Sequence, residues 1–185
     1  MIEFIPLDES HIPLMQQWLS SGEALRWYGR DEPQSETVLR HKYLVDKPAG
    51  GTRSFVIHQD EHPIGYIQYY RVADYPDWAS LVSAQPGDYG LDLFIGRDDL
   101  IGEGIGTEIV HTALRKLVFT NEDAKRCILG PEPDNRRAIR CYEKCGFKHL
   151  RTVTTDTDEE EYVMAIKRPN KNPHKIPSFV GNMWD

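Results

Sequence analysis

The sequence predicts a mixed α/β fold, and three observations predict it. Runs of alternating apolar and polar residues recur through the first half of the chain. Near Gly104 the apolar spacing changes to three and four residues, and strand-like and helix-like runs then alternate to about Lys167. With 185 residues, 39% hydrophobic and 28% charged, the chain suits one domain with a sizeable core. No run approaches the roughly 18 apolar residues of a membrane span.

Ile2-Glu3-Phe4-Ile5-Pro6 alternates as a short strand. Asp8 or Ser10 is then placed to cap a helix reaching about Leu19, with Ile12, Met15, Trp18 and Leu19 on one face. Ser20-Ser21-Gly22 closes it. A second helix is expected from about Ser35 to Val45, presenting Val38, Tyr43 and Leu44, with a turn at Gly50 and Gly51. Residues 54–58 and 64–70 read as the strands of a hairpin joined by Gln59 to Pro63. Residues 73 to 88, with Pro76, Pro86 and Gly87, read as a long loop, and Tyr89 to Ile95 as a further strand. The run Ile105, Ile109, Val110, Ala113, Leu114, Leu117 and Val118 marks an amphipathic helix. A strand at Arg126 to Leu129 follows, then a helix from Asp134 or Asn135 to the stop at Gly146. Strands at 147–155 and 161–167 flank an acidic turn. Residues 1–168 form the expected domain, and residues 169–185 a tail outside its core.

The charge pattern restricts the partners. Against 22 Lys and Arg stand 29 Asp and Glu, a formal net charge of −7. Such a surface repels phosphate backbones and anionic lipid and favours small cationic ligands. No nucleic-acid or membrane partner is therefore expected, and the chain is expected as a monomer or homodimer. Three cysteines form no disulfide framework. The acidic amino terminus does not read as a secretory signal, so the cytoplasm is the expected compartment. The histidines show no metal-ligand spacing, and no metal is expected.

Two stretches carry the chemistry. Gly102-Glu103-Gly104-Ile105-Gly106-Thr107 lies between a strand and the strongest helix. Glycines there let backbone approach a ligand closely, and first-turn N–H groups with the helix dipole favour phosphate. The spacing is not that of a dinucleotide-binding fingerprint, and a tight turn without ligand is the plain alternative. In Asn135 to Phe147, residues Ala138, Ile139, Tyr142 and Cys145 share one helical face, which is equally the pattern of an ordinary buried stripe.

Together these stretches resemble the GNAT superfamily of N-acetyltransferases. The glycine run is similar to its acyl-CoA pyrophosphate loop, with Ile101 where Gln or Arg is usual. The run Asn135, Ala138-Ile139, Tyr142-Glu143-Lys144, Gly146-Phe147 is similar to its second cofactor motif. The resemblance covers about residues 1–168 and implies a GNAT-like fold, a mostly antiparallel splayed mixed sheet flanked by helices. It implies acetyl-CoA as co-substrate, held by Phe94, Ile95, Ile101, Gly102, Gly104, Ile105, Gly106, Thr107, Asn135, Ala138, Tyr142 and Lys144.

A closer resemblance is to the aminoglycoside 6'-N-acetyltransferases, carried by Trp27-Tyr28-Gly29, Pro63 to Gln68, Tyr89 to Gly96 and Arg137 to Arg140. It implies that Asp92 lies in the acceptor cleft and takes part in catalysis, and that Asp77 contacts the drug. Two departures stand out. Leu93 replaces the usual Gln, and Gly130 stands before Pro131 where those enzymes carry an aspartate that helps hold a second amine. Glu132, Asp134 or the turn containing Asp156 and Asp158 are possible replacements.

The expected reaction is direct acetyl transfer to a primary amine of a polycationic small molecule. Deprotonating an amine of pKa near 10.4 at pH 7 costs about 4 to 5 kcal/mol. Asp92 is the candidate base, directly or through water, or else only a ligand for the ammonium ion. A strand N–H near Phe94 or Ile95 is the expected oxyanion donor, and Tyr142 the expected partner of the departing thiolate. Trp27, Tyr28, Trp78 and Tyr89 are candidates to line a cationic acceptor pocket, with core packing as the alternative for each. Another small amine, or binding without turnover, are the rival readings.

Overall fold

The computed structural model describes residues 1–30, 35–46 and 51–169. The expected turn at Gly50 and the tail from residue 170 lie outside these. Seven strands form one sheet: β1 (Ile2–Pro6), β2 (Arg53–Gln59), β3 (His62–Arg71), β4 (Asp88–Ile95), β5 (Arg126–Leu129), β6 (Lys148–Thr154) and β7 (Glu160–Lys167). Their order is β1-β2-β3-β4-β5-β7-β6, and every neighbouring pair is antiparallel except β4 with β5.

Helices α1 (Ile12–Leu19), α2 (Gly22–Ala24), α3 (Glu36–Arg40), α4 (Pro76–Leu81), α5 (Ile105–Ala113) and α6 (Arg136–Lys144) cover both faces. Ile12, Met15, Trp18 and Leu39 pack on Val56, Tyr66 and Phe94 of one face. Trp78 and Val82 continue that layer over Ile128, Val163 and Ala165. Ile109, Val110, Ala113 and Ile139 pack on Ile67, Leu91, Cys127 and Leu129 of the other. Alternation along each strand therefore sorts its residues between two helical layers.

Three local expectations change. Residues 73–88 are not one loop: a 3-10 turn at Val72–Asp74 leads into α4. Pro76 sits in the first helical turn, where its missing N–H would have had no partner, so it starts the helix instead of preventing it. The hairpin loop narrows to Asp60 and Glu61, both at positive φ (48° and 69°), the backbone that a two-residue turn requires. Beyond Gly22, where no helix was expected, α2 continues as a π-helical turn over Leu25–Gly29.

The parallel seam decides the shape of the sheet. Pairing of β4 with β5 covers only Asp88↔Arg126, Tyr89↔Cys127 and Gly90↔Ile128. From Leu91 to Ile95, β4 keeps β3 on one edge and loses its neighbour on the other. Gly96 N–H donates to the Ile64 carbonyl at 2.8 Å. Counting back by twos, Phe94 and Asp92 also bond toward β3, so Leu93 and Ile95 turn their N–H and C=O toward the open edge.

The end of β7 is tied down by Arg168. Its guanidinium donates to the carbonyls of Asn121, Glu122 and Ala124 at 3.0, 3.2 and 3.1 Å, and to that of Phe119 at 2.6 Å. These bonds gather the carbonyls of the turn where the α5 layer ends. Arg168→Met is expected to lower unfolding free energy by about 1.5–3 kcal/mol, read by urea denaturation. An unchanged midpoint would show that water replaces the guanidinium without loss.

Candidate active site

Asp92 lies on β4 where the sheet opens, on the face covered by α1 to α4. Its cross-strand partner is Gln68, whose Nε2 donates to Asp92 Oδ2 at 2.8 Å. The Tyr66 hydroxyl donates to Gln68 Oε1 at 2.6 Å and bonds Ser54 Oγ at 2.7 Å. The hydroxyl donation holds the Gln68 amide with its N–H toward the carboxylate. Enclosure raises the proton affinity of Asp92 above the ordinary carboxylate range, while the Gln68 bond and the Lys42 charge oppose it.

A cleft of about 400 Å³ opens over this carboxylate. Trp27 and Tyr28 line it from the turn after α2, and Lys42, Tyr43 and Asp46 from the turn after α3. Thr52, Gln68 and Tyr75 complete it, and the Thr52 and Tyr75 hydroxyls bond each other. Tyr28, Tyr66 and Phe94 form one aromatic group, with ring centroids 5.0 to 6.2 Å apart. The Trp27 wall is anchored twice. Trp27 Nε1 donates to Glu23 Oε2 at 2.8 Å, and Arg137 of α6 pairs with the same oxygen. Glu23 N–H donates to Asp98 Oδ1 at 3.2 Å, and Asp98 occupies the space beside Gly22 that a side chain would need.

The structure therefore brings Trp27, Tyr28 and Asp92 together, but not the remaining acceptor candidates. Tyr89 points to the opposite face of β4 from Asp92, into the core under α5. There its hydroxyl accepts from Arg71 Nε at 3.1 Å and donates to Asp123 Oδ1 at 2.8 Å. Trp78 packs on Ile128 and Val163 outside the cleft, its Nε1 buried without a hydrogen-bond partner among the described residues. Asp77 is exposed on α4 and does not line the cleft. Gln68, Lys42 and Tyr75 were missed; the cue for Gln68 was a polar residue in an otherwise apolar strand.

The glycine run lies past the far end of β4. Gly102 and Gly104 are exposed at φ 98° and 81°, and among the described residues nothing but their own chain neighbours lies within 4 Å of where a Cβ would sit. Gly104 is the N-cap of α5. Open backbone at a helix amino terminus suits a pyrophosphate group, so these residues fit the co-substrate that the motif implies. Ile101 precedes this loop, and Ile105 is buried behind it. A Cβ on Gly106 would lie 3.2 Å from Cys141 Sγ, so α5 and α6 approach closely here. Thr107 Oγ1 contacts the same sulfur at 3.7 Å.

On α6, Asn135 Oδ1 accepts from Ala138 N–H at 3.1 Å and caps the helix, while Lys144 is exposed at its end. Tyr142 packs against Phe147, with ring centroids 5.9 Å apart. Burial, and secondarily the charges of Cys141 and Asp92, push the Tyr142 hydroxyl well above its ordinary range, so it holds its proton at neutral pH. The three cysteines are free.

Comparison with known proteins places this geometry in a family. A model of the acetyltransferase (GNAT) domain matches residues 8–155. The chain is 29% identical over 164 residues to an aminoglycoside N(6')-acetyltransferase type 1 of Klebsiella pneumoniae, covering 88% of this chain and 81% of the relative. It is 37% identical over 83 residues to a kanamycin resistance protein of Rhizobium radiobacter, 45% of this chain and 76% of that one. Among solved structures, an aminoglycoside acetyltransferase in complex with coenzyme A and kanamycin superposes with a TM-score of 0.80. That structure is 28% identical, the match covering 91% of this chain and 95% of the other. The seven-stranded mixed sheet, the splayed seam and the matched domain agree, and the chain belongs to the GNAT family of acetyltransferases.

Proposed function

We propose that the protein transfers an acetyl group from acetyl-CoA to a primary amine of an aminoglycoside, at its 6' position. The observation that carries this is the enclosed carboxylate of Asp92 at the floor of an aromatic cleft, beside the opening between β4 and β5. Support comes from relatives named as aminoglycoside N(6')-acetyltransferases, and from the related structure in complex with kanamycin.

The chemistry follows from the residues. Asp92 receives the acceptor ammonium and takes its proton, directly or through water, and the neutral amine attacks the thioester carbon. The elevated proton affinity of Asp92 narrows the gap to the amine and makes this transfer less uphill. The open edge of β4 offers the Ile95 and Leu93 N–H groups to the thioester oxygen and the pantetheine amides. The ladder alternation thus favours Ile95 over Phe94 as donor. As the tetrahedral intermediate collapses, the carbon–sulfur bond breaks and the thiolate leaves hydrogen-bonded to the Tyr142 hydroxyl, while the second proton of the attacking nitrogen passes to the sulfur as the amide forms, directly or relayed by that hydroxyl. Gly102, Gly104 and the first turn of α5 hold the pyrophosphate, and Asn135, Ala138 and Lys144 contact the co-substrate at points spread along α6.

Gly104→Val is expected to raise KM for acetyl-CoA roughly tenfold, with a smaller change in kcat. A β-branched side chain both disfavours φ 81° and stands over the phosphate-facing backbone. Unchanged KM would remove the loop from the cofactor site.

The reading is tested by CoA-thiol release from acetyl-CoA with kanamycin, tobramycin, spermidine and lysine as acceptors. Turnover with the two drugs supports it. Turnover with spermidine or lysine alone keeps the acetyltransferase and replaces the acceptor.

A further inference from the structure

The acceptor reading leaves one carboxylate at the opening unused. Gly90 pairs with Ile128, and Ile128 with Ala165. Stepping by twos along each strand, Asp92 on β4 and Glu161 on β7 stand on this same face, on opposite sides of the splayed seam. Gly130 follows β5 between them. A Cβ on Gly130 would lie 2.2 Å from Glu161 Oε2 and 3.3 Å from Glu161 Cβ and Cδ. The Glu161 side chain thus occupies the space that a residue at 130 would fill. Tyr162 N–H donates to the Pro131 carbonyl at 2.8 Å and fixes β7 against this loop.

The neighbouring acids have partners. Arg30, just past the turn after α2, pairs with Glu132 at 3.0 Å and Glu159 at 3.4 Å. Asp92 accepts from Gln68. Among the described residues, Glu161 has no hydrogen bond or ion pair at its carboxylate. Enclosure, then the negative charges of Asp92, Glu159 and Glu132, push it up to about 7. Tyr70, whose ring lies across Gly90, is half-buried within range of both Asp92 and Glu161. A partly buried carboxylate facing other acids gains most from a cation, and the acceptor proposed above carries several.

We propose that Glu161 binds a second ammonium group of the acceptor while Asp92 receives the amine to be acetylated. Glu161 is then a specificity-determining residue that selects acceptors with two or more amines. It does the work of a side chain at 130 from a different strand. Because Glu161 is largely protonated in the free enzyme below about pH 7, a bound ammonium also releases its proton.

The test compares kanamycin with the monoamine 6-amino-6-deoxyglucose, in the wild type, Glu161→Gln, and the double variant Glu161→Ala with Gly130→Asp. Glu161→Gln should lower kcat/KM for kanamycin roughly ten- to thirtyfold, mainly through KM. It should change the monoamine less than about threefold, on the same reasoning. The double variant, which returns a carboxylate to the same space, should recover most of the kanamycin loss. Equal losses for both acceptors, or no loss, would overturn the assignment. If the wild type does not turn kanamycin over, the acceptor reading fails separately. Calorimetric titration of kanamycin in buffers of different ionisation enthalpy then decides. Proton release present in the wild type and reduced in Glu161→Gln supports the subsite, and identical release in both overturns it.

Discussion

Asp92→Asn is expected to lower kcat with kanamycin by roughly 10²- to 10⁴-fold, the range for loss of a general base. Asn keeps the shape and still meets Gln68, but it cannot take the ammonium proton. Stability should move the other way. Burial raises the proton affinity of Asp92 in the folded protein, so the folded state binds that proton more tightly than the unfolded chain. The contribution of Asp92 to stability is therefore favourable at low pH and is lost as pH rises through its folded value. At neutral pH the ionised group is a burden, and Asp92→Asn should unfold at the same or a higher urea concentration than the wild type. In the wild type, kcat/KM should rise along an acid limb above the ordinary carboxylate range, and that limb should vanish in the variant. A variant that keeps both its kcat and its acid limb would move the base elsewhere.

Asp88→Ala is expected to destabilise the fold by about 3–5 kcal/mol, the range for removing one partner of a buried ion pair. Asp88 is 4% exposed and accepts from Arg126 Nε at 2.9 Å and from its terminal nitrogen at 2.6 Å. It also accepts from the Gln85 N–H at 2.8 Å. This clamp sits on the first pair of the short parallel ladder that joins the two parts of the sheet. Its loss strands the Arg126 charge where the ladder has least redundancy. Asp88→Leu with Arg126→Met should recover part of the loss, because two apolar side chains leave no unpaired charge. Urea unfolding of the wild type and the two variants checks both statements. A double variant no better than Asp88→Ala would place the loss in packing instead of charge.

Local chemistry made much of the architecture legible. Period two identified the strands, period three to four identified α1 and α5, and Asn135 and Gly146 bounded α6. Where an element is short or starts with a breaker, the signal fades. α2 spans only Gly22–Ala24 before its π turn, too little for periodicity, and Pro76 reads as loop although it opens α4. Such segments are held by contacts distant in sequence, such as Asp98 beside Gly22 and Ile128 under Trp78.

The same division runs through the site. The sequence by itself determined the alternating architecture, the glycine loop at a helix amino terminus and the acidic strand residue Asp92, because these depend on neighbours a few positions apart. The odd spacing of Tyr89 and Asp92 along one strand already put them on opposite faces, but tertiary structure alone decided that Trp78 is packing and that Gln68 holds the carboxylate. It also decided that Glu161 fills the place of the side chain missing at Gly130. The Gln68 and Glu161 outcomes depend on strand register, fixed by pairing between residues tens of positions apart, where a shift of one residue exchanges the two faces, and the place of Trp78 depends on how α4 seats on β5 and β7.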